Sequence, residues 1–224
     1  DHINCILEEG VKIVFSSAGN PATYTPVFKE HGIHVVHVVS SARFAIKAQD
    51  SGCDAVVAEG FEAGGHNGRE ETTTLCLVPA VVDAVRVPVI AAGGIHDGRS
   101  MAAAFALGAQ AVQVGSRFVA STEASAHEAF KNSVVTTSEG GTQLTLKELT
   151  PVRLIKNEFY NRVQQAYADG ATAEQLNTLL GRGRAKKGMF EGDLVEGELE
   201  IGQAASMIKD ILPAGEILQR MIIE

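Results

Sequence analysis

Ala55-Val56-Val57-Ala58-Glu59 is a short, mostly apolar run that ends where a glycine-rich stretch begins at Gly60. Apolar runs of this length, without polar alternation, are typical of strands that are buried on both faces of a parallel sheet. Four further runs of the same kind lie at residues 12–16, 34–38, 88–92 and 111–115. The sequence therefore predicts five parallel strands.

Helix-length segments follow these runs, at residues 21–32, 41–52, 72–85, 97–108 and 122–134. Ser41 and Asp97 are suitable N-cap residues. Glycine, which favours helix C-termini, ends three of the segments, at Gly32, Gly52 and Gly108. Strands that alternate with helices indicate a parallel α/β fold. We predict a (β/α)8 TIM barrel whose last five βα units are visible, and we expect the first three units to lie outside this sequence.

The alternation of strands and helices stops near residue 135, and the next residues, 136–150, are polar and contain glycine. Helical patterns then resume at residues 153–168, 172–180 and, broken at Pro213, 199–223. We therefore predict a barrel portion over residues 1–135 and a mostly helical C-terminal appendage or lid over residues 136–224.

The composition excludes several classes of protein. A net charge of -8 argues against a nucleic-acid surface, so small molecules or soluble proteins are the expected partners. The three cysteines form no CxxC pair, which argues against a disulfide framework or a metal site and fits a reducing cytoplasm. No apolar run approaches the roughly 20 residues needed to cross a bilayer, so we expect no membrane partner.

An active-site loop is predicted at residues 59–68, where four glycines surround one histidine, His66. Glycine allows the backbone to lie against a ligand where a Cβ atom would collide. His66 is the one side chain of this loop that can move a proton near neutral pH. A lone histidine is more often structural, but this loop favours chemistry beside a large planar cofactor.

Two later βα turns, Gly93-Gly94-Ile95 and Gly115-Ser116-Arg117, have glycines next to helix starts. In TIM barrels, the loops after the last two strands commonly bind phosphate. The turns therefore predict a site for a phosphate monoester. The alternative is that the glycines only make tight turns.

Three motifs taken together resemble a known family: residues 62–66, 88–98 and 112–118. They are similar to the FMN-dependent family that contains nitronate monooxygenases (2-nitropropane dioxygenases) and the flavin-type enoyl-acyl-carrier-protein reductase II. The resemblance covers about residues 1–160. The reductase branch is favoured because residues 116–131 and 152–157 look like that branch.

The resemblance implies an enzyme that uses FMN and NADPH or NADH to reduce trans-2-enoyl thioesters in bacterial fatty-acid biosynthesis. The thioester would be a small molecule or would be bound to acyl carrier protein. Two alternatives stay open: an FMN- and O2-dependent nitronate monooxygenase, and a barrel that only binds a phosphate ligand. A homodimer is also left open.

His66 is the catalytic residue that the resemblance implies, facing the flavin and the substrate carbonyl. The implied cofactor-binding residues are Glu59, Gly64, Gly65, Gly93, Gly94, Gln113, Gly115 and Ser116. Gly19 is added to this set, with a simple turn before Pro21 as the alternative. For Gln113, the alternative is a buried glutamine with no ligand role.

Residues 181–188 contain four basic side chains but follow no predicted strand and lack the Gly-Lys-Ser/Thr order, which argues against a P-loop. We interpret them as a solvated charge run. The alternative is a contact with a phosphate of NADPH or with an acidic carrier protein.

Overall fold

The computed structural model describes residues 2–224, and the chain divides into two compact units. Unit 1 comprises Asp1–Phe61, Thr72–Ala92 and Ala102–Gln113. Unit 2 comprises Glu62–Glu71, Gly93–Met101 and Val114–Glu224. Both units are built from separate chain segments, and the predicted boundary after residue 135 stays a prediction.

The strands are β1 (Ile13–Ser16), β2 (His34–Val39), β3 (Ala55–Glu59), β4 (Gly65–His66), β5 (Val89–Ala92), β6 (Ala111–Gln113), β7 (Thr142–Thr145) and β8 (Val152–Ile155). The α-helices are α1 (His2–Glu8), α2 (Thr25–Glu30), α3 (Ala42–Asp50), α4 (Thr74–Ala84), α5 (Gly98–Ala106), α6 (Ser116–Val119), α7 (Glu128–Thr136), α8 (Glu158–Ala168), α9 (Ala173–Leu180), α10 (Arg184–Met189) and α11 (Ala214–Ile223). Short 3-10 helices lie at Pro21–Thr23 and Gln203–Met207.

Unit 1 is built on a parallel sheet with the strand order β1-β2-β3-β5-β6. Its strands form because β-branched and small apolar residues fill both faces: Val56 and Val57 are fully buried, as is Ala91. Helices α3 and α4 pack on the sheet, and Ser41 caps α3 by accepting a hydrogen bond from the Phe44 N–H. The sheet and its helices form a half-barrel, which confirms the predicted parallel α/β fold.

Unit 2 contains an antiparallel sheet with the order β4-β8-β7. The strand β8 corrects the predicted helix over residues 153–168, because Val152–Ile155 is extended and the helix α8 starts only at Glu158. Asn157 stops the strand and caps α8, since its side chain accepts a hydrogen bond from the Tyr160 N–H at 3.0 Å.

Two further helix predictions need correction. The helix predicted over residues 122–134 begins only at Glu128, where the His127 side chain accepts a hydrogen bond from the Ala129 N–H and caps α7. The predicted closing pair at 199–223 is one short 3-10 helix and α11, because α11 starts just after Pro213. Within residues 2–224, no helix is long and apolar enough to cross a membrane.

Candidate active site

Glu59 and Gln113 are the predicted site residues that unit 1 brings together. They end β3 and β6, and both are register partners of Ala92, the last residue of β5. Because neighbouring strands lie about 4.8 Å apart, the Cα atoms of Glu59 and Gln113 are about 10 Å apart. Residues in register point to the same face, so a carboxyl and an amide share one face at the carboxyl edge of the sheet.

The Glu59 carboxyl is half-buried at this edge, and burial raises its pKa to about 7. The group can therefore donate or accept a hydrogen bond near neutral pH. Next to it, the Gly60 N–H donates to the Ala92 carbonyl at 2.9 Å. A Cβ atom at Gly60 would lie 2.1 Å from the Thr74 Oγ1 atom, so glycine allows the start of α4 to approach this edge.

Gly19 lies in the exposed loop after β1, and β2 separates that strand from β3. Gly19 has a φ of +68°, and a Cβ atom there would meet nothing within 4 Å. The next residue, Asn20, caps the 3-10 helix Pro21–Thr23 by accepting a hydrogen bond from the Ala22 N–H at 3.3 Å. The turn before Pro21 accounts for the left-handed backbone conformation of Gly19. The cofactor role of Gly19 stays a prediction.

Gly64 and Gly202 pack against each other in unit 2. A Cβ atom at Gly64 would lie 2.4 Å from the Ile201 carbonyl carbon, and one at Gly202 would lie 2.8 Å from the Glu62 carbonyl oxygen. The Gln203 N–H also donates to this Glu62 carbonyl at 2.9 Å. The predicted active-site loop is therefore held by the backbone of residues 201–203, and this packing requires glycine at both positions.

The two predicted phosphate turns also lie in unit 2. Gly93 and Gly94 have φ values of +93° and +74°, a conformation that side chains other than glycine rarely adopt. Gly115 is exposed, and a Cβ atom there would meet nothing within 4 Å. Ser116, the next residue, accepts a hydrogen bond from the Gly202 N–H at 2.9 Å. The Gly115 turn is therefore held firmly next to open space.

Gly65 and His66 form the two-residue strand β4, in register with Arg153 and Val152 of β8. Gly65 has a φ of +73°, and the imidazole of His66 is exposed. The antiparallel pairing with β8 fixes the direction in which His66 leaves the backbone. The predicted catalytic histidine therefore projects from a hydrogen-bonded strand rather than from a free loop.

His66 lines a cavity of about 270 Å³ in unit 2. The remaining lining residues are Leu146, Leu149, Thr150, Val152, Asn177, Leu180, Gly181, Gly183, Arg184, Ala185, Glu198 and Glu200. Leucine and valine supply an apolar part of the wall, and one histidine, one arginine and two carboxyl groups supply an ionisable part. Such a cavity can accept an apolar chain next to a group that exchanges protons.

Burial raises the pKa of Glu198 to about 7, and the nearby Glu200 charge adds to this effect while Arg184 opposes it. Burial also raises the pKa of Glu200, against the favourable influence of His66. Two carboxyl groups with raised pKa values next to a histidine are typical of sites where proton transfer occurs. No cluster of three or more His, Cys, Asp or Glu side chains suited to a metal ion is found within residues 2–224.

Comparison with known proteins identifies the family. The model of the nitronate monooxygenase family matches residues 1–224. The chain belongs to the nitronate monooxygenase family. A probable nitronate monooxygenase from Staphylococcus saprophyticus is 36% identical over 203 residues, which are 84% of this chain and 57% of that protein. One from Staphylococcus aureus is 35% identical over 178 residues, which are 75% of this chain and 50% of that protein.

Two solved structures extend the comparison. The structure of FabK from Thermotoga maritima matches with a TM-score of 0.92 and 41% identity, covering 99% of this chain and 70% of that one. A nitroalkane oxidase from Streptomyces ansochromogenes matches with a TM-score of 0.78 and 28% identity, covering 99% and 66%. These matches confirm the predicted TIM-barrel-like fold and family. This chain spans only about half the length of the curated relatives it matches.

Besides His66, the ionisable residues that line the cavity are Arg184, Glu198 and Glu200. The sequence analysis included Arg184 only as part of the basic run at residues 181–188, and it missed both glutamates. The alternation of Glu198-Leu199-Glu200-Ile201 was a usable signal, because it predicts an extended segment with both carboxyl groups on one face. The interpretation of residues 181–188 as a solvated charge run is wrong for Arg184. Its side chain is 19% exposed, and its guanidinium lies 4.5 Å from the centre of the Phe159 ring.

Proposed function

We propose that this protein is an FMN-dependent oxidoreductase that uses NAD(P)H to reduce trans-2-enoyl thioesters in bacterial fatty-acid biosynthesis. The observation that carries the proposal is the similarity to Thermotoga maritima FabK, with 41% identity over 99% of this chain. The corresponding identity to the nitroalkane oxidase is 28%. FabK belongs to the reductase branch that the sequence motifs resemble.

The residues present fit a flavin mononucleotide. In unit 2, Gly115 lies beside open space, since a Cβ atom there would have no neighbour within 4 Å, and the paired left-handed glycines Gly93 and Gly94 form a second backbone turn of the kind that binds phosphate. In unit 1, Glu59 and Gln113 supply polar groups suited to the edge of a flavin ring. When bound, FMN would carry the hydride between the nicotinamide and the thioester.

His66 is proposed to act on the substrate carbonyl. Reduction of an enoyl thioester places enolate charge on the carbonyl oxygen, and a donor close to that oxygen stabilises it. The imidazole can supply this hydrogen bond from a protonated ring nitrogen and can deliver a proton to the α-carbon. Its exposure at the end of β4 leaves the ring accessible to a substrate.

The cavity wall next to His66 indicates which part of the substrate lies there. Leu146, Leu149 and Val152 form its apolar part, which suits an acyl chain rather than a charged group. We therefore propose a thioester with a short apolar acyl chain, presented as a small molecule or on acyl carrier protein.

A nitronate monooxygenase is the second candidate, because the curated relatives at 36% and 35% identity carry that name. In that case the same imidazole would act as a base or an anchor for an alkyl nitronate, with FMN and O2. The two candidates differ in whether NAD(P)H rapidly reduces the flavin.

The test is anaerobic NAD(P)H consumption by the full-length, FMN-loaded protein, with and without a short trans-2-enoyl thioester. The proposal expects rapid, substrate-dependent consumption that His66→Ala abolishes and the exposed control His31→Gln retains. If neither nucleotide reduces the flavin and an alkyl nitronate drives oxygen uptake, the monooxygenase is correct. A protein that purifies without flavin and binds none would instead be a binding module.

A further inference from the structure

The β7–β8 loop, residues 146–151, forms one wall of the cavity that contains His66. Leu146, Leu149 and Thr150 of this loop line the cavity. The position of the loop therefore determines how much room lies in the cavity with the imidazole. Because two of its three lining side chains are leucines, the loop also presents apolar surface to a molecule that enters the cavity.

The backbone of the β7–β8 loop depends on outside contacts. Leu146 has a φ of +54°, in the left-handed region that residues with a side chain seldom occupy. Its side chain is buried in an apolar cluster with Val152 and Phe159. The Leu149 N–H donates to the Leu146 carbonyl at 3.0 Å and closes the turn. Such a conformation persists only where the surrounding structure stabilises it.

Arg69 supplies two of the stabilising contacts. Its Nη1 atom donates to the Lys147 carbonyl at 3.1 Å, and its Nη2 atom donates to the Leu149 carbonyl at 2.7 Å. Two donors of one planar cation thus hold two carbonyls of the same turn, which fixes its orientation as well as its distance. Since Arg69 lies three residues after His66, these bonds join the segment that carries the histidine to the β7–β8 loop.

Two other contacts join this segment to the loop. The Asn67 N–H donates to the Pro151 carbonyl at 2.9 Å, a backbone bond that does not depend on the asparagine side chain. The Lys147 ammonium pairs with the Glu71 carboxylate, but both side chains are exposed, and exposed ion pairs contribute little to stability. Neither contact holds Leu149.

The rest of the turn and the histidine have their own support. Leu146 is buried in its apolar cluster, and Tyr167 of α8 donates its O–H to the Glu148 carboxylate at 2.6 Å. His66 is held in β4 by its pairing with β8. Leu149 is thus the lining leucine of the loop whose position depends most directly on Arg69.

We infer that Arg69 is a positioning residue that sets acyl-chain selectivity: by holding the carbonyls of Lys147 and Leu149, it keeps the Leu149 side chain in the wall against which an apolar chain packs. A chain gains affinity with each methylene group that such a wall removes from water. When the wall is released, a longer chain no longer gains over a shorter one. The inference rests on the proposed function only in taking an acyl chain as the occupant of the cavity.

The first readout is hydrogen exchange of the Leu149 amide in the full-length, FMN-loaded protein. Arg69→Ala is expected to speed this exchange about 10-fold or more, because the turn that the amide closes loses two hydrogen bonds. Arg69→Lys keeps the charge but lacks the planar pair of donors, so an intermediate rate is expected. Lys147→Met removes the exposed ion pair, keeps the carbonyl at position 147 and is expected to leave the rate within about twofold of the original.

The second readout is the affinity for saturated acyl-N-acetylcysteamine thioesters, which cannot be reduced, measured by calorimetry. The original protein is expected to bind the hexanoyl thioester about 10-fold more tightly than the butanoyl thioester, because two more methylene groups are buried. Arg69→Ala is expected to lower this preference to about twofold or less, whereas Lys147→Met retains it.

Turnover supplies the third readout. Arg69→Ala is expected to raise KM for a six-carbon trans-2-enoyl thioester about fivefold and to leave kcat for the four-carbon and six-carbon substrates within about twofold, because His66 keeps its pairing with β8. A loss of kcat that is equally large for both substrates would contradict the inference, since Arg69 would then support the site as a whole.

Unchanged exchange at Leu149 in Arg69→Ala would overturn the inference. So would a preference for the hexanoyl thioester that survives the substitution, or one that the original protein lacks. Neither exchange nor binding depends on turnover. A protein that shows the Arg69-dependent preference but consumes no NAD(P)H with enoyl thioesters would refute the proposed function and leave the role of Arg69 standing.

Discussion

At the scale of single residues, two glycines of unit 2 lack a side chain for different structural reasons. Gly64 faces the backbone of Ile201 and Gly202, whereas Gly115 faces open space with an ordinary φ of −100°. One glycine is therefore required by packing within the protein. The other leaves room that a bound molecule can use.

Replacing each of these glycines by alanine distinguishes a glycine required for packing from one that borders open space. Gly64→Ala is expected to reduce the free energy of unfolding by about 2 to 4 kcal/mol, because the new methyl group overlaps backbone that cannot rotate away. Gly115→Ala is expected to change it by less than about 0.5 kcal/mol. Urea unfolding of the flavin-free protein measures both values.

For FMN affinity, we expect the larger effect from the Gly115 variant rather than from the Gly64 variant. Gly115→Ala is expected to weaken FMN binding about 10-fold or more, because its methyl group fills the space proposed for the phosphate. Quenching of flavin fluorescence measures this affinity. If Gly115→Ala binds FMN as tightly as the original protein, Gly115 is not part of the phosphate site.

The single-residue predictions from sequence depended on local motifs. His66 and the glycines next to it could be singled out because they are adjacent in the chain and each has a distinctive chemistry. Arg184 and Glu200 reach the same cavity from far along the sequence, and only tertiary packing brings them to His66. A single sequence carries little information about such contacts, since a charged residue in a polar segment predicts solvent exposure.

At the scale of secondary structure elements, the five strands of unit 1 were predictable because each is a local apolar run. The strand β8 was not, because Val152-Arg153-Leu154-Ile155 precedes a true helix and contains a charged residue. Arg153 is nonetheless 2% exposed, and pairing with β4 and β7 fixes the strand. Here tertiary pairing outweighs the local pattern.

The last residue of β3 gives unit 1 a pH-dependent stability. Burial raises the Glu59 pKa from 4.5 to about 7 in the folded protein, so near pH 6 the folded state holds a proton that the unfolded state has lost. The stability from this group is therefore complete below about pH 4.5 and is lost as the pH rises through 7. The loss should be about 3 kcal/mol, because the folded and unfolded pKa values differ by about 2.5 and a difference of one corresponds to about 1.4 kcal/mol.

Glu59→Gln removes the titrating group but keeps the shape of the protonated side chain. The difference in unfolding free energy between the original protein and this variant is expected to fall steadily from pH 5 to pH 8. Urea unfolding at several pH values measures it, with the exposed Glu30→Gln as the control that shows no such slope. Parallel curves for the original protein and Glu59→Gln would contradict the assignment.

At the scale of the whole molecule, the segments that follow β3 and β5 belong to unit 2, together with the C-terminal half of the chain. This grouping depends on contacts such as that between Gly64 and Gly202, which are far apart in sequence. Composition and periodicity describe only neighbours along the chain. They could therefore predict the barrel strands but not which later residues hold the predicted active-site loop.

We therefore expect FMN binding to slow hydrogen exchange in several segments that are far apart in the sequence. A ligand that binds only the folded state stabilises it by about 2.7 kcal/mol at 100 times its dissociation constant. Hydrogen exchange of the full-length protein is expected to slow at the ends of β3 and β6 and in the turns at Gly93-Gly94 and Gly115-Ser116. The exposed loop at residues 138–140 should exchange at the same rate with and without FMN.

Riboflavin, which lacks the phosphate, is the matched ligand for this experiment. It is expected to protect the strand ends that carry Glu59 and Gln113 but to leave the turns at 93–94 and 115–116 exchanging as in the free protein, because those turns are proposed to bind the phosphate. Protection of both turns by riboflavin as strong as that by FMN would mean that they respond to the flavin ring. Absence of protection at all four places would instead remove FMN as the cofactor of this protein.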